Sequence, residues 1–436
     1  MPATPDHPPL PARLAVPAFL AIMLLSPVGD GRVTAFITML GFFAVFLPWV
    51  FFSTRCYRVS LIGELRRHHP ASFWLLAGFC LSSLLSFVLA MGADVSPVHK
   101  LRSAIWYLLY GLFFAYAFLL ARLCLVTGLS HRRIFLWLGA GMLLLMVMLL
   151  GFYHLADAPN ARNWAIDPPV GVHVRIMGMV ASIVIVSSAV FLLLDNNRPA
   201  ATAWLYFCLF AGGAFVVWTA SRMSIVVVVI TLAVLLLLCR RVLQTPWRRI
   251  ALMVLVLLAS VPASEPFSVF HWSGLQRMVS VSNVSDIAEQ TGPDHFAIAD
   301  RVTSSRMDIW RTAIQQFRSA PWFGSGPYSF FQVENKSFGH PHNIVLQFLV
   351  EWGVVGSLLF FGFLLSLAVA GLRRLPAALQ ARDSGWIAAA AVVFMLTLNG
   401  AVDGTYFALS PVFYLATAYA IFPFFPATRR PAALQQ

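Results

Sequence analysis

The chain carries two imidazoles two residues apart in Gly339-His340-Pro341-His342-Asn343, followed directly by an apolar helical pattern from Ile344 onward. Imidazole is the side chain suited to taking a proton near neutral pH. Pro341 suits the first position of a helix, which puts His342 and Asn343 in the first turn, beside backbone N–H groups with no partner inside the helix. A base would then stand at the water boundary of a membrane helix, where a lipid-linked substrate could react. An interfacial histidine with only a packing role fits the same residues. Asn343, Gln347 and Glu351 recur every four residues, so they share one stripe that must face protein or water, because lipid cannot satisfy them. Glu351 lies about 13 Å along the helix from His342, deep enough to be either protonated or paired.

Two arginines complete a possible site. Arg222 opens an apolar run in Thr219-Ala220-Ser221-Arg222, and Arg306 stands four residues before Trp310. A guanidinium can hold a phosphate through parallel N–H bonds that an ammonium cannot match. Each arginine is also compatible with a plain interfacial role. Between Arg306 and the histidines lies a turn-rich connector, Pro321 to Tyr328, with Gly324 and Gly326 inside it.

The elements that must position these residues are membrane helices. Of 436 residues, 59% are hydrophobic and 11% charged, and the mean hydropathy is +0.79, well away from the norm of soluble domains. Apolar runs lie near 13–28, 33–52, 72–92, 101–124, 133–155, 173–194, 201–219, 222–239, 249–263, 342–372, 385–402 and 408–425, implying an all-α polytopic protein of about twelve spans. The first run has no small-residue cleavage site and reads as a retained helix. Trp204 to Cys239 would measure about 54 Å as one helix, so it must break, and Thr219–Arg222 is the plausible place.

With this parity, 18 of the 30 Lys+Arg fall on one face and six lie in short loops of the other. The rich side is cytoplasmic, so both termini are cytoplasmic and the histidines face out. The chain divides into an N-terminal bundle, 1–263, a long hydrophilic outer loop, 264–341, and C-terminal helices, 342–436. Ala299 to Ala320 has the spacing of an amphipathic helix lying on the membrane face. A net charge of +13 is explained by membrane orientation and does not point to nucleic acid. Five cysteines, odd in number and placed in or beside spans, suggest no disulfide framework.

Ser221-Arg222, Arg306 ahead of Trp310, the Gly-rich turn Pro321–Gly326, and His340-Pro341-His342-Asn343 with Glu351 and Gly353 behind it, in that order, resemble the O-antigen ligase and O-antigen polymerase superfamily, and most of all the ligases. The resemblance implies a GT-C-like membrane glycosyltransferase without metal or other cofactor, seated in the bacterial inner membrane with its active site facing the periplasm. The expected substrates are an undecaprenyl-diphosphate-linked glycan as donor and the lipid A-core of lipopolysaccharide as acceptor. It implies His342 as the catalytic residue and Arg222 and Arg306 as diphosphate ligands. His340, Asn343, Tyr328 and Glu351 would support them. His340 departs from the family pattern, and the two histidines could exchange roles. Asp308 and Asp403 are carboxylates on the same side.

A polymerase would use the same donor, clamp and base, so the residues separate it poorly from a ligase. From a different class, a twelve-helix transporter or flippase could use Arg222 and Glu351 as substrate or proton sites. Against it stand the absence of matching half-repeats and the one-sided outer loop.

Overall fold

The computed structural model describes residues 10–28, 32–55, 61–155, 168–171, 173–195, 197–219, 221–239, 247–264, 306–332, 340–402 and 409–421. The described helices are α1 (Leu10–Leu25), α2 (Arg32–Thr54), α3 (Leu61–His68), α4 (Pro70–Gly92), α5 (Pro97–Thr127), α6 (His131–Leu155), α7 (Val174–Leu194), α8 (Pro199–Trp218), α9 (Arg222–Cys239), α10 (Trp247–Ala263), α11 (Arg306–Ser319), α12 (Ile344–Gln380), α13 (Ser384–Gly400) and α14 (Leu409–Ile421), with a short 3₁₀ turn at Ser329–Gln332. Each apolar run coincides with a helix. Six of them, α4 to α8 and α12, are long and apolar enough to cross a bilayer, and α1, α9, α13 and part of α2 are shorter apolar helices. The chain is a polytopic membrane protein.

Local chemistry sets the helix ends. Pro97 starts α5 after a Ser96 cap that accepts from the His99 N–H, and Gly128 ends the helix in the left-handed conformation at φ 64°. Asp383 caps α13 by accepting from the Trp386 N–H at 3.1 Å. The break between α8 and α9 falls within Thr219–Arg222 as expected. One helix was not anticipated: α3 is eight residues long, too short to stand out against its apolar neighbours.

Helix α7 is buried along nearly its whole length, as expected of a helix apolar on every side. It packs against α6, α8, α9 and α13. A second seam joins α4 to α12, which run antiparallel. Ser72 and Ser366 hydroxyls meet at 2.8 Å, and Gly78 faces Leu359 while Gly356 faces Ser82. Small residues let the backbones approach, the usual basis of helix association in lipid.

The two ends of the bundle differ. One is tied by basic side chains: Arg122 donates to the Thr54 carbonyl at 2.7 Å, Arg374 meets His69 at 2.9 Å and Arg132 pairs with Asp195 at 3.4 Å. The other end carries the candidate site.

Helix α12 departs from the sequence expectation. It was read as continuous from Pro341, but it is two helices joined at Gly353, whose backbone sits at φ 65°, ψ −170°. The Pro321–Gly326 turn fits into this break. Ser325 and Gly326 N–H groups donate to the Val350 and Glu351 carbonyls at 2.8 and 3.0 Å, and the Pro321 and Trp322 carbonyls accept from Val354 and Val355 at 2.8 and 3.1 Å. The Ser86 hydroxyl adds a bond to the Glu351 carbonyl at 2.8 Å. Backbone groups freed by the break are thus re-paired by protein, as membrane depth requires. Ser86 is six residues, about 9 Å, from the end of α4, so Glu351 lies toward the site-bearing end of the bundle and not near its middle.

Both glycines are required by contact. A Cβ at Gly353 would stand 2.3 Å from the Trp322 carbonyl oxygen, and one at Gly324 would stand 2.5 Å from the Glu351 backbone. Gly353→Ala should therefore destabilise the protein by on the order of 3 kcal/mol, from positive φ and displaced backbone together. Gly111→Ala, with nothing within 4 Å of the added carbon, should cost nothing measurable. Unfolding midpoints of the two variants in micelles check this.

Candidate active site

The half-helix Ile344–Trp352 is the rigid element under the histidines. Its cap is Asn343, whose side-chain oxygen accepts from the Leu346 N–H at 3.0 Å. The helix therefore begins at Ile344, and His342 precedes the cap instead of lying inside the first turn. Asn343 prevails over Pro341 as the start because its side chain can satisfy an otherwise unpaired backbone N–H.

His342 stands at φ 51°, in the left-handed region that a residue with a Cβ rarely occupies. Such strain persists only where the surroundings enforce it, and it concentrates at functional sites. The enforcing contacts are specific. The His340 Nδ1 accepts from the His342 backbone N–H at 3.2 Å, and the two rings lie 4.0 Å apart. Through this bond His340 shapes the backbone that aims His342. On the near side, the Trp310 indole donates to the Pro341 carbonyl at 3.0 Å. On the far side, the Asn343 amide donates to the Ala401 carbonyl at the end of α13, at 3.1 Å.

These contacts relate the arginines to His342. Arg306 is the first residue of α11, one turn before Trp310 and on the same helical face, so it flanks the indole that holds Pro341. Arg222 is the first residue of α9, which packs on α13, the helix whose end holds Asn343. Arg222, Arg306 and His342 thus all stand at the same end of the bundle. Thr219 and Ser221, just before Arg222, are buried, and the Ser221 and Ser224 hydroxyls are 2.7 Å apart. It lies against Gly178 of α7, where a Cβ would approach Ser221, Ser224 and Thr219 to within 2.8 to 2.9 Å. Sequence reasoning missed Gly178, because a glycine in a membrane helix gives no sign of what it faces.

Below the histidines, Glu351 is buried with its carboxyl facing the Tyr110 hydroxyl, the Gln347 amide and the Tyr328 backbone N–H. Tyr110 was also missed, being an ordinary tyrosine within an apolar span. Tyr328 has a positive φ of 63°, and its ring stacks on Trp106 at 5.3 Å. Burial raises its hydroxyl above the usual phenol range, against the opposing pull of nearby Arg102. Glu351 and Tyr328 therefore join α5, the re-entrant turn and the half-helix. The expected amphipathic helix is α11, with Ile309 and Ala313 buried against α12; residues 299–305 and Asp403 lie outside the described residues.

Trp310→Phe keeps the ring but removes the donor to Pro341, a loss of about 1 kcal/mol. Amide exchange over Ile344–Gln347 should then quicken about five-fold. Unchanged exchange there would separate α11 from control of the half-helix.

No curated protein matches the chain. The family described as O-antigen ligase matches residues 207–361, from within α8 to within α12. That span contains Arg222, Arg306, Tyr328, both histidines, Asn343, Glu351 and the Gly353 break, and it sets aside the transporter reading. Residues 207–361 of this polytopic membrane protein match the O-antigen ligase family, which is a family of enzymes.

Proposed function

We propose that this protein transfers a glycan from an undecaprenyl-diphosphate carrier to the lipid A-core sugar of lipopolysaccharide, at the periplasmic face of the inner membrane. The observation that carries this reading is the strained, triply anchored backbone at His342, flanked by the helix that begins with Arg306 and standing at the same bundle end as Arg222. About twelve crossings, counted from the apolar runs, together with the excess of positive charge at the other end, support cytoplasmic termini and an outward site.

Chemically, the acceptor hydroxyl oxygen attacks the anomeric carbon while the bond from that carbon to the diphosphate oxygen breaks. His342 takes the hydroxyl proton. The electron pair of the breaking bond passes to the diphosphate, which stays on the carrier, and the guanidiniums of Arg222 and Arg306 neutralise the growing charge. Attack opposite the leaving group inverts the anomeric centre. With two fixed cations at the leaving group, the mechanism calls for no metal ion. His340 holds the His342 backbone, Asn343 caps the half-helix, and Glu351 and Tyr328 brace it from below. The helices supply a GT-C-like frame.

The one-sided outer segment, 264–341, favours a ligase over an O-antigen polymerase, which would direct the same donor onto a second repeat unit. Reconstitution with a lipid-diphosphate glycan and, separately, a lipid A-core acceptor or more donor distinguishes the two; transfer only onto the core is expected, with or without chelator. His342→Ala should lower transfer by at least about 100-fold in a protein that still inserts and folds. Arg222→Lys and Arg306→Lys should each weaken donor use about ten-fold although charge is kept. Near-normal transfer by His342→Ala would remove that imidazole from catalysis.

A further inference from the structure

A cavity of about 120 Å³ lies among α4, α5, α12 and α14; Tyr110, Phe348 and Trp352 line its end nearest the half-helix, and Leu65 and Leu367 line it further toward the opposite end of the bundle. Its walls are almost wholly carbon and largely aromatic, with Phe79, Phe113, Phe114, Phe348, Phe360 and Phe363 among them. A void of comparable size, about 150 Å³, lined by apolar side chains stays dry and accepts a benzene-sized apolar guest. In a bilayer, the abundant guest of that kind is a hydrocarbon chain.

The lower end of this cavity has a definite charge. Leu65 of α3 lines it, and the next two residues, Arg66 and Arg67, are exposed. The Arg66 guanidinium lies 5.9 Å from the centre of the Phe73 ring, on the first turn of α4. On α12, Leu367 lines the cavity, and Arg374 follows seven residues later, on the same stripe and about 10 Å further along. Arg374 meets His69 at 2.9 Å, which brings the α12 arginine to the α3–α4 junction. An apolar slot thus ends at a basic rim, on the bundle end opposite the histidines.

The geometry points to a binding site for an anionic glycerophospholipid, with one acyl chain in the aromatic cavity and its phosphate at Arg66, Arg67 and Arg374. Basic clusters between membrane helices on the positively charged side have the chemistry to hold such headgroups. Charge complementarity selects the occupant. A neutral lipid could fill the slot but leaves the rim unused, and a carrier lipid whose headgroup reacts at His342 would have its charge at the other end. The choice of a phospholipid over the carrier lipid rests on the glycosyl-transfer reading; the slot and its basic rim do not.

The test uses the full-length protein, stripped of lipid in detergent and offered phosphatidylglycerol or phosphatidylcholine with the same acyl chains, with retained lipid counted by native mass spectrometry. Phosphatidylglycerol should be retained at least about ten-fold better. The double variant Arg66→Ser, Arg374→Ser should remove that preference. Ala416→Phe, which fills the cavity from α14, should lower phosphatidylglycerol retention about ten-fold with the rim intact; should this variant fail to fold, the milder Ala117→Leu tests the same wall from α5. Equal retention of the two lipids, or unchanged retention in the cavity-filled variant, overturns the site. Displacement of phosphatidylglycerol by an equal amount of undecaprenyl phosphate would also overturn it, because the cavity would then belong to the prenyl chain.

Discussion

Four backbone hydrogen bonds between the Pro321–Gly326 turn and the break at Gly353 hold the site-bearing end of this protein together. A helix interrupted inside a bilayer exposes carbonyl and N–H groups that lipid cannot satisfy. Here the interruption persists because a second interruption, the turn after α11, offers the complementary groups. Neither segment is stable in its conformation alone. Their pairing creates a short independent helix, Ile344–Trp352, whose upper end carries His342 and whose lower end is braced by Glu351, Tyr110, Gln347 and Tyr328. Because the turn follows α11 directly, the same pairing brings Trp310 to the Pro341 carbonyl, with Arg306 one turn earlier on α11.

Strain is concentrated at the two ends of this helix. His342 and Tyr328 are two of three non-glycine residues with positive φ among those described, and they flank the half-helix from above and below. Each has a side chain beside its backbone: the His340 Nδ1 accepts from the His342 N–H, and the Glu351 carboxyl faces Tyr328. A residue forced into the left-handed region costs about 1–2 kcal/mol, and the surrounding hydrogen bonds supply it. In the proposed mechanism a base and an anion clamp must stay in register while lipid moves around them, and fixed geometry is worth this cost.

The sequence made the helical architecture legible. Long apolar runs and basic loops follow from bilayer thickness and charge asymmetry, and every run proved helical. Arg222, Arg306 and His342 are each compatible with a plain interfacial role, and it is their order along the chain, in its resemblance to the family, that singles them out. What stayed hidden depends on contacts distant along the chain. Gly353 reads like Gly111 or Gly151, and only the Trp322 carbonyl opposite distinguishes it. Pro341 suggested a helix start, yet Asn343 is the cap because its oxygen reaches Leu346. Tyr110, Gly178 and the short helix α3 carry no local pattern that reveals what they touch.

The central claim is spatial: one imidazole and two guanidiniums serve a single diphosphate-linked sugar at one end of the bundle. The most direct measurement is an experimental structure of the protein in a lipid disc with a non-transferable undecaprenyl-diphosphate glycan bound. The account predicts the diphosphate in contact with both Arg222 and Arg306, and the His342 ring on the side of the anomeric carbon away from it. A diphosphate bound elsewhere, or held by one arginine with the other out of reach, would contradict it.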